Sequence, residues 1–262
     1  MRQGKDRPVF LVIGAGTGIG GHAAARFAAE GHHAVLARRS DAAGLARIVS
    51  AIEANGGVAS GRLLDATKEG SIEELVEQTE REIGPIQCAL YNLGAQIGNR
   101  ALAETPHKLF ERGWRLGCFG LFRLAQALLP KMAERAAAGQ AATLIVTSAT
   151  AALRGNAGQH SHAAAMGARR MLCQTLNAEF APKGVHVVHV IVDGAVDAPD
   201  TLGKLLGNGF ESFKAAKGPD GVIDPAAIAQ SYWQLAQQPR NAWTHEMDLR
   251  PWTDTPWWND NA

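Results

Sequence analysis

Cysteine is scarce in this chain. Only Cys88, Cys118 and Cys173 occur among 262 residues, an odd count, widely spaced, each within an apolar run. That pattern excludes a disulfide framework and points to reduced core thiols in a cytoplasmic setting. Charge of one sign is lacking as well: 26 Lys+Arg stand against 25 Asp+Glu, a net of +1. Such a balance gives no electrostatic ground for nucleic acid or an anionic membrane as the main partner. No apolar stretch approaches the roughly 20 residues of a membrane span. The opening MRQGKDRPVFLVIGAG has too short an apolar stretch for a signal peptide, so neither export nor insertion is expected. Internal repeats, low-complexity tracts and charge blocks are also missing, and a chain of this length reads as a single domain over 1–262.

What is present is an alternation. Pro8 to Ile13 is a short β-branched apolar run ending at Gly14, and the Ala-rich stretch Ile19 to Glu30 closes at Gly31 as a helix would. Further strands are predicted at His33–Ala37, Val58–Leu64, Ile86–Tyr91, Thr143–Thr147, Val185–Val192 and Trp243–Leu249, with helical stretches between them. Strands separated by helices require crossover connections, hence a seven-stranded parallel sheet in an α/β fold. Runs such as FLVI and VHVVHVIV lack polar alternation, as expected where helices cover both faces. Long helices are predicted at Pro106–Ala138, with Pro130 kinking or fraying it, and at Gln159–Ala181. Six glycines crowd residues 193–221, which hold one short helix candidate and read as a substrate lid. Three of the six tryptophans lie in the tail, 250–262, which is expected to pack on its own domain or on a neighbouring subunit.

After the first strand comes Gly14-Ala15-Gly16-Thr17-Gly18-Ile19-Gly20, opening directly into a helix. Glycines between a strand and a helix let the backbone approach a pyrophosphate at the helix N-terminus, so the loop predicts dinucleotide binding. At the end of the second strand, where an acid would take the adenine-ribose 2′-hydroxyl, the chain reads Arg38-Arg39-Ser40. Two guanidiniums and no carboxylate beside them favour a 2′-phosphate, hence NADP over NAD.

These residues, with Leu64-Asp65-Ala66-Thr67 after the third strand, Asn92-Leu93-Gly94 after the fourth, Gly84-Pro85-Ile86, Leu129-Pro130, Leu153-Arg154-Gly155 and Asp193-Gly194, resemble the short-chain dehydrogenase/reductase family in order and spacing over nearly the whole chain. The resemblance implies a doubly wound Rossmann-type domain, usually in a homodimer or homotetramer in which the two long helices pack against their twins; here they carry small residues, Gly113, Gly117 and Gly120 on one and Ala163–Ala165, Gly167 and Ala168 on the other, that are expected to permit close approach of a second subunit. It places the cofactor against Gly14, Gly16, Thr17, Gly18, Ile19, Gly20, Arg38, Arg39, Asp65, Ala66, Asn92, Leu93, Gly94 and Gly194. The family's reaction moves hydride between nicotinamide and a carbonyl carbon with a Tyr, a Lys, a Ser and an Asn in attendance. Here the matching positions hold His162, Met166, Ala149 and Gly117, with hydroxyls beside Ala149 at Ser148 and Thr150. The only tyrosines, Tyr91 and Tyr232, lie in other elements, so no small shift of register recovers the missing phenol.

His162 is chemically able to stand in, because an imidazole titrating near pH 6.5 exchanges a proton without a lysine to tune it, whereas a phenol near 10 needs one. Ser148 and Thr150 complete the candidate catalytic set. No metal is expected: His186 and His189 lie an odd number apart on a strand and point to opposite faces, and His160 and His162 have no acid near them in sequence. The sequence thus predicts an NADP(H)-dependent oxidoreductase for a small carbonyl or alcohol. A dinucleotide-binding protein without catalysis, acting as a sensor or partner subunit, is the alternative.

Overall fold

The computed structural model describes residues 7–94 and 98–259; residues 1–6, 95–97 and 260–262, which include both ends of the expected domain and the end of the expected tail, lie outside the described residues. The elements run β1 (Val9–Ile13), α1 (Ile19–Ala29), β2 (His33–Arg38), α2 (Ala42–Ala54), β3 (Val58–Leu63), α3 (Ser71–Glu82), β4 (Ile86–Tyr91), α4 (His107–Trp114) and α5 (Gly120–Ala137). They continue with β5 (Thr143–Ala149), α6 (His160–Phe180), β6 (His186–Val192), the single turn α7 (Lys204–Leu206), α8 (Phe210–Lys217), α9 (Pro225–Ala236) and β7 (Glu246–Leu249). All seven strands pair parallel in one sheet, ordered β3-β2-β1-β4-β5-β6-β7. The doubly wound α/β fold expected from the alternation is present.

β1 shows why the strands carry no polar face. Val9, Leu11 and Ile13 pack with residues of α3, α5 and α6, while Phe10 and Val12 pack with α1, α2 and α9 on the opposite side. All five are buried, and Phe10 stacks on Phe27 of α1 at 3.8 Å between ring centroids. Burial on both faces selects apolar residues at every position. All three cysteines are buried and unpaired, and burial pushes the Cys173 thiol up to about 12.

Four sequence expectations need correction. The long helix over 106–138 is two helices joined by a wide π-type turn at Arg115–Phe119, and α5 continues through Pro130. The turn exists because its carbonyls are used elsewhere: the Tyr91 hydroxyl donates to Leu116 O at 2.6 Å and Arg169 Nε to Gly117 O at 2.6 Å. Gly120 is required there, since a Cβ would stand 2.3 Å from Tyr91 Oη. The last strand starts at Glu246 rather than Trp243, because Gln238 ties the preceding residues into a loop, accepting from Trp243 Nε1 through its carbonyl and from Thr244 N through its side chain. Residues 193–221 hold more order than one short helix, with a turn at Pro199–Gly203 followed by α7 and α8. Gly113, Gly117 and Gly120, expected to permit close approach of a second subunit, are buried within their own chain.

The tail folds back on its own chain. Pro251 lies against Gly194, Lys217 pairs with Asp254 at 2.7 Å, Trp257 N donates to Asp193 at 3.2 Å, and Arg154 donates to Trp257 O at 3.0 Å. Below it, β7 is pinned by Glu246, which takes two bonds from Arg170 at 2.7 and 2.8 Å and one from His189 Nδ1 at 2.9 Å. His186, on the other face of β6, stacks on Trp243, and among the described residues no three His, Cys, Asp or Glu side chains converge as a metal site. Among the same residues no helix is long and apolar enough to cross a membrane.

His189 is fully buried, and its Nε2 has no hydrogen-bond partner. A proton added there would be a buried donor without an acceptor, and burial lowers the imidazole pKa to about 4 against the pull of Glu246. The unfolded chain therefore takes up this proton near pH 6.5, before the folded one does. Stability should be lost as pH falls from about 6.5 toward 4, by up to roughly 3 kcal/mol from this site. Melting temperatures followed across that range should show a shallower loss for His189→Gln than for the unaltered protein.

Candidate active site and dinucleotide cleft

The strand order reverses between β1 and β4, and the cleft opens beyond the C-terminal ends of these strands, as the crossover geometry requires. Its volume is about 620 Å³. The loop after β1 can turn tightly because Gly14 has a φ of +103°, and a Cβ there would lie 2.7 Å from Asn92 O. Gly20 is equally constrained, with a Cβ position 2.4 Å from Gly14 O. Asn92 Nδ2 donates to Gly14 O at 3.0 Å and its N–H to Ile13 O at 2.8 Å, fastening the ends of β1 and β4 together. α1 starts without a side-chain cap, and Gly18, Ile19 and Gly20 at its start line the cleft, a ready place for an anion.

Of the cofactor residues expected from sequence, Gly14, Gly16, Gly18, Ile19, Gly20, Arg38, Arg39, Ala66, Asn92, Leu93 and Gly94 line this cleft. Thr17, Asp65 and Gly194 do not. Thr17 lines an adjoining pocket that shares Gly16 and Asp200 with the cleft, and its N–H donates to Asp200 at 3.3 Å. Asp65 turns into an adjoining basic depression with Arg39, Lys108, Arg112 and Arg115. Its carboxylate is already engaged by Thr67, from Oγ1 at 2.6 Å and N at 3.0 Å, and these bonds hold it below the usual carboxylate range. Gly194 is covered by Pro251. Val196, Ala198, Asp200, Thr201 and Lys204, all from the segment expected as a lid, complete the rim.

The expected absence of a carboxylate beside Arg38 does not hold: Asp41 follows three residues on and Asp200 comes from the segment expected as a lid. The Arg38 guanidinium stands 3.4 Å from Asp41 and 3.6 Å from Asp200, while Nη1 makes no hydrogen bond.

At the other end of the cleft, β5 presents Ser148 and Ala149 opposite His162 and Met166 of α6. The buried Ser148 hydroxyl has only a weak acceptor, the Met166 sulfur at 3.9 Å. Thr150 does not line the cleft; it begins a short turn in which its carbonyl receives Leu153 N and Arg154 N. His162 is half-buried with Nδ1 unpartnered. Burial and then the nearby charge of Arg169 push its pKa below 6.5, so the ring is neutral at neutral pH.

The family model for short chain dehydrogenases matches residues 8–204. The chain belongs to the short-chain dehydrogenase family. It is 32% identical over 206 residues to a short-chain reductase protein, NovJ, of Streptomyces niveus, covering 78% of this chain and 76% of that one. A fatty acyl-CoA reductase of Acinetobacter baylyi is 35% identical over 136 residues, 51% of this chain, and the match spans only 45% of that relative's length. Among solved structures, a short-chain dehydrogenase from Rhodopseudomonas palustris superposes with a TM-score of 0.75 at 33% identity, covering 94% of this chain and 99% of the other.

Three residues beyond Met166 on α6 stands Arg169. Arg169 is buried, and its guanidinium donates to Gly117 O at 2.6 Å, Thr147 O at 2.5 Å, Leu93 O at 2.7 Å and Leu116 O at 3.4 Å, with Tyr91's ring 5.2 Å away. The sequence hides this because Arg169-Arg170 looks like a solvated pair. The available signal is spacing: Arg169 falls in the buried stripe Ala165, Met166, Cys173, Leu176, Phe180 of α6. Leaving these carbonyls without a donor is costly, so Arg169→Met should destabilise the protein by at least about 3 kcal/mol in chemical denaturation. Arg169→Lys should lose less and keep His162 depressed. An NMR titration of the His162 ring should report a pKa rise in Arg169→Met alone.

Proposed function

We propose that this chain is an NADP(H)-dependent oxidoreductase acting on a small carbonyl or alcohol. The observation that carries the reading is one cleft holding both a glycine loop with an incompletely bonded arginine, Arg38, and a neutral histidine, His162, at its opposite end. Gly14 to Gly20 would hold a pyrophosphate at the start of α1, Arg38 and Arg39 a 2′-phosphate, and Ala66, Asn92, Leu93 and Gly94 the rest of the dinucleotide. Such a cofactor, when bound, supplies or accepts the hydride. The remaining chemistry belongs to the chain: His162 takes a proton from an alcohol or returns one to a carbonyl, and the Ser148 hydroxyl is free to turn from a thioether to a substrate oxygen. Residues 193–221 act as the lid, with Phe210 and Phe213 closing over an apolar substrate and excluding water.

The sign of the pH dependence follows from the lowered His162 pKa. Oxidation needs the neutral ring and should rise with pH through that lowered value. Reduction needs the imidazolium and should fall over the same interval, below 6.5. Initial rates with NADPH or NADP over a panel of carbonyls and alcohols test this, and His162→Ala should lose about 100-fold or more of any turnover. Calorimetry should give NADPH a roughly tenfold to hundredfold advantage over NADH, lost in the Arg38→Ala, Arg39→Ala double variant. Tight NADPH binding without turnover on any substrate would instead support a dinucleotide-binding protein that does not catalyse.

The same reading includes a homodimer or homotetramer. Phe110, Trp114, Phe119, Phe122 and Met171 are exposed large apolar side chains on α4, the turn after it, α5 and α6. Aromatic side chains, rather than the inward-facing glycines, are what a second subunit would cover. Light scattering should give a dimer or larger at micromolar concentration, and Trp114→Glu with Phe122→Glu should shift it to the monomer.

A further inference from the structure

The acid missing from the end of β2 arrives from the far end of the chain. Asp200, in the turn Pro199–Gly203, accepts the Thr17 N–H on Oδ2 at 3.3 Å, and the same oxygen lies 3.6 Å from Arg38 Nη2. Its Oδ1 is 3.2 Å from Lys204 Nζ. Two residues earlier, the buried Ala198 sits on the glycine loop so closely that a Cβ on Gly18 would be 2.8 Å from Ala198 Cβ. A carboxylate therefore occupies the corner between the glycine loop and the β2 arginine, where the proposed 2′-phosphate belongs.

The fit is charge-complementary but geometrically loose. Charge-assisted N–H···O bonds run near 2.7–2.9 Å, whereas Arg38 has its carboxylates at 3.4 and 3.6 Å, with Nη1 making no hydrogen bond although the side chain is only 14% exposed. Asp41 is not free to improve matters, since its Oδ1 caps α2 by accepting Gly44 N at 2.8 Å. Burial alone would raise the pKa of Asp200, but the bonds from Lys204 and Thr17 outweigh it and hold the carboxyl below its usual range. Asp200 is thus an anion at neutral pH. A phosphate, with more acceptor oxygens and more charge, would satisfy Arg38 better, yet it cannot share the corner with a second anion.

We propose that Asp200 is a specificity-determining residue whose carboxylate competes with the 2′-phosphate of the dinucleotide for Thr17 N–H and Arg38. Binding of the phosphorylated cofactor then expels Asp200 and lifts the lid segment that carries it, releasing Lys204 toward the cleft. An acid held against one ligand and indifferent to its analogue is a device for discrimination by repulsion. The inference rests on the reading of Arg38 as the phosphate partner.

Isothermal calorimetry of NADPH and NADH with the full chain tests it in four proteins: unaltered, Asp200→Asn, Arg38→Ala and the double variant. Asp200→Asn should tighten NADPH by about tenfold and change NADH less than twofold, and the gain should vanish when Arg38 is also replaced. Asp200→Ala, which removes the amide as an alternative partner, should behave as Asp200→Asn does. Equal tightening of both cofactors, no change in either, or a gain that survives without Arg38 would overturn the proposal. If Arg38→Ala alone leaves NADPH affinity unchanged, the phosphate reading falls first and this inference with it. Weakened NADPH in Arg38→Ala beside an inert Asp200→Asn would overturn only the role given to Asp200.

Discussion

Arg169 delivers its guanidinium to the place where the C-terminal ends of β4 and β5 and the turn between α4 and α5 converge, and carbonyl oxygens of Leu93, Thr147, Leu116 and Gly117 turn toward it. Each of these residues sets the position of something on the cleft. Leu93 precedes Gly94, Thr147 precedes Ser148, and the two turn carbonyls hold open the break that separates α4 from α5. A buried cation in low dielectric is tolerable only when its donors are satisfied, and carbonyl dipoles at strand ends do that here. Once that condition is met, the guanidinium fixes the geometry of three separate backbone segments at once.

Arg38, at the opposite end of the cleft, shows the contrasting case. Both arginines are largely buried, but one has short bonds to well-placed acceptors and the other has carboxylates at distances too long for good bonds. The first arrangement belongs to the folded chain itself. The second is what the proposed phosphate site would look like with a segment of the same chain supplying the charge of the ligand without its shape. The contrast separates structure from recognition more sharply than charge or burial does, since those are similar at the two sites.

The fold was legible because its signals are local. The run of β1, the glycines after it and the return to β4 at Asn92 are each written within a few residues, and the reversal of strand order that makes the cleft follows from them. Arg169 was not legible, since its bond to Leu93 joins residues 76 apart and nothing in Met166-Gly167-Ala168-Arg169 distinguishes a buried guanidinium from a solvated one. Asp200 was hidden for the same reason at greater range, 183 residues from Thr17. Reading a missing acid at Arg38-Arg39-Ser40 treated the sequence neighbourhood as the spatial one, and the lid brings the acid back. Asp65 shows a different effect: its position after β3 matches, and Thr67, two residues on, engages its carboxylate. Short polar side chains beside a turn bond their own backbone first.

The role proposed for His162 has a consequence for the direction of the proposed chemistry. A positive charge near a proton-transferring group lowers its pKa whatever the group is. Applied to a phenol that starts near 10, this brings the acid toward neutrality, where it both donates and accepts. Applied to an imidazole that starts near 6.5, the same field moves the group away from neutrality and leaves a base. Burial works in the same direction on His162 and exceeds the effect of Arg169. On the proposed reading, an imidazole in place of the family's phenol, with a buried cation in the neighbourhood, is therefore not a neutral exchange of one proton carrier for another. Near pH 7 the proposed site would accept protons readily and donate them poorly. It would be suited to alcohol oxidation, and carbonyl reduction through His162 would need an acidic medium or a substrate that binds the imidazolium in preference to the neutral ring.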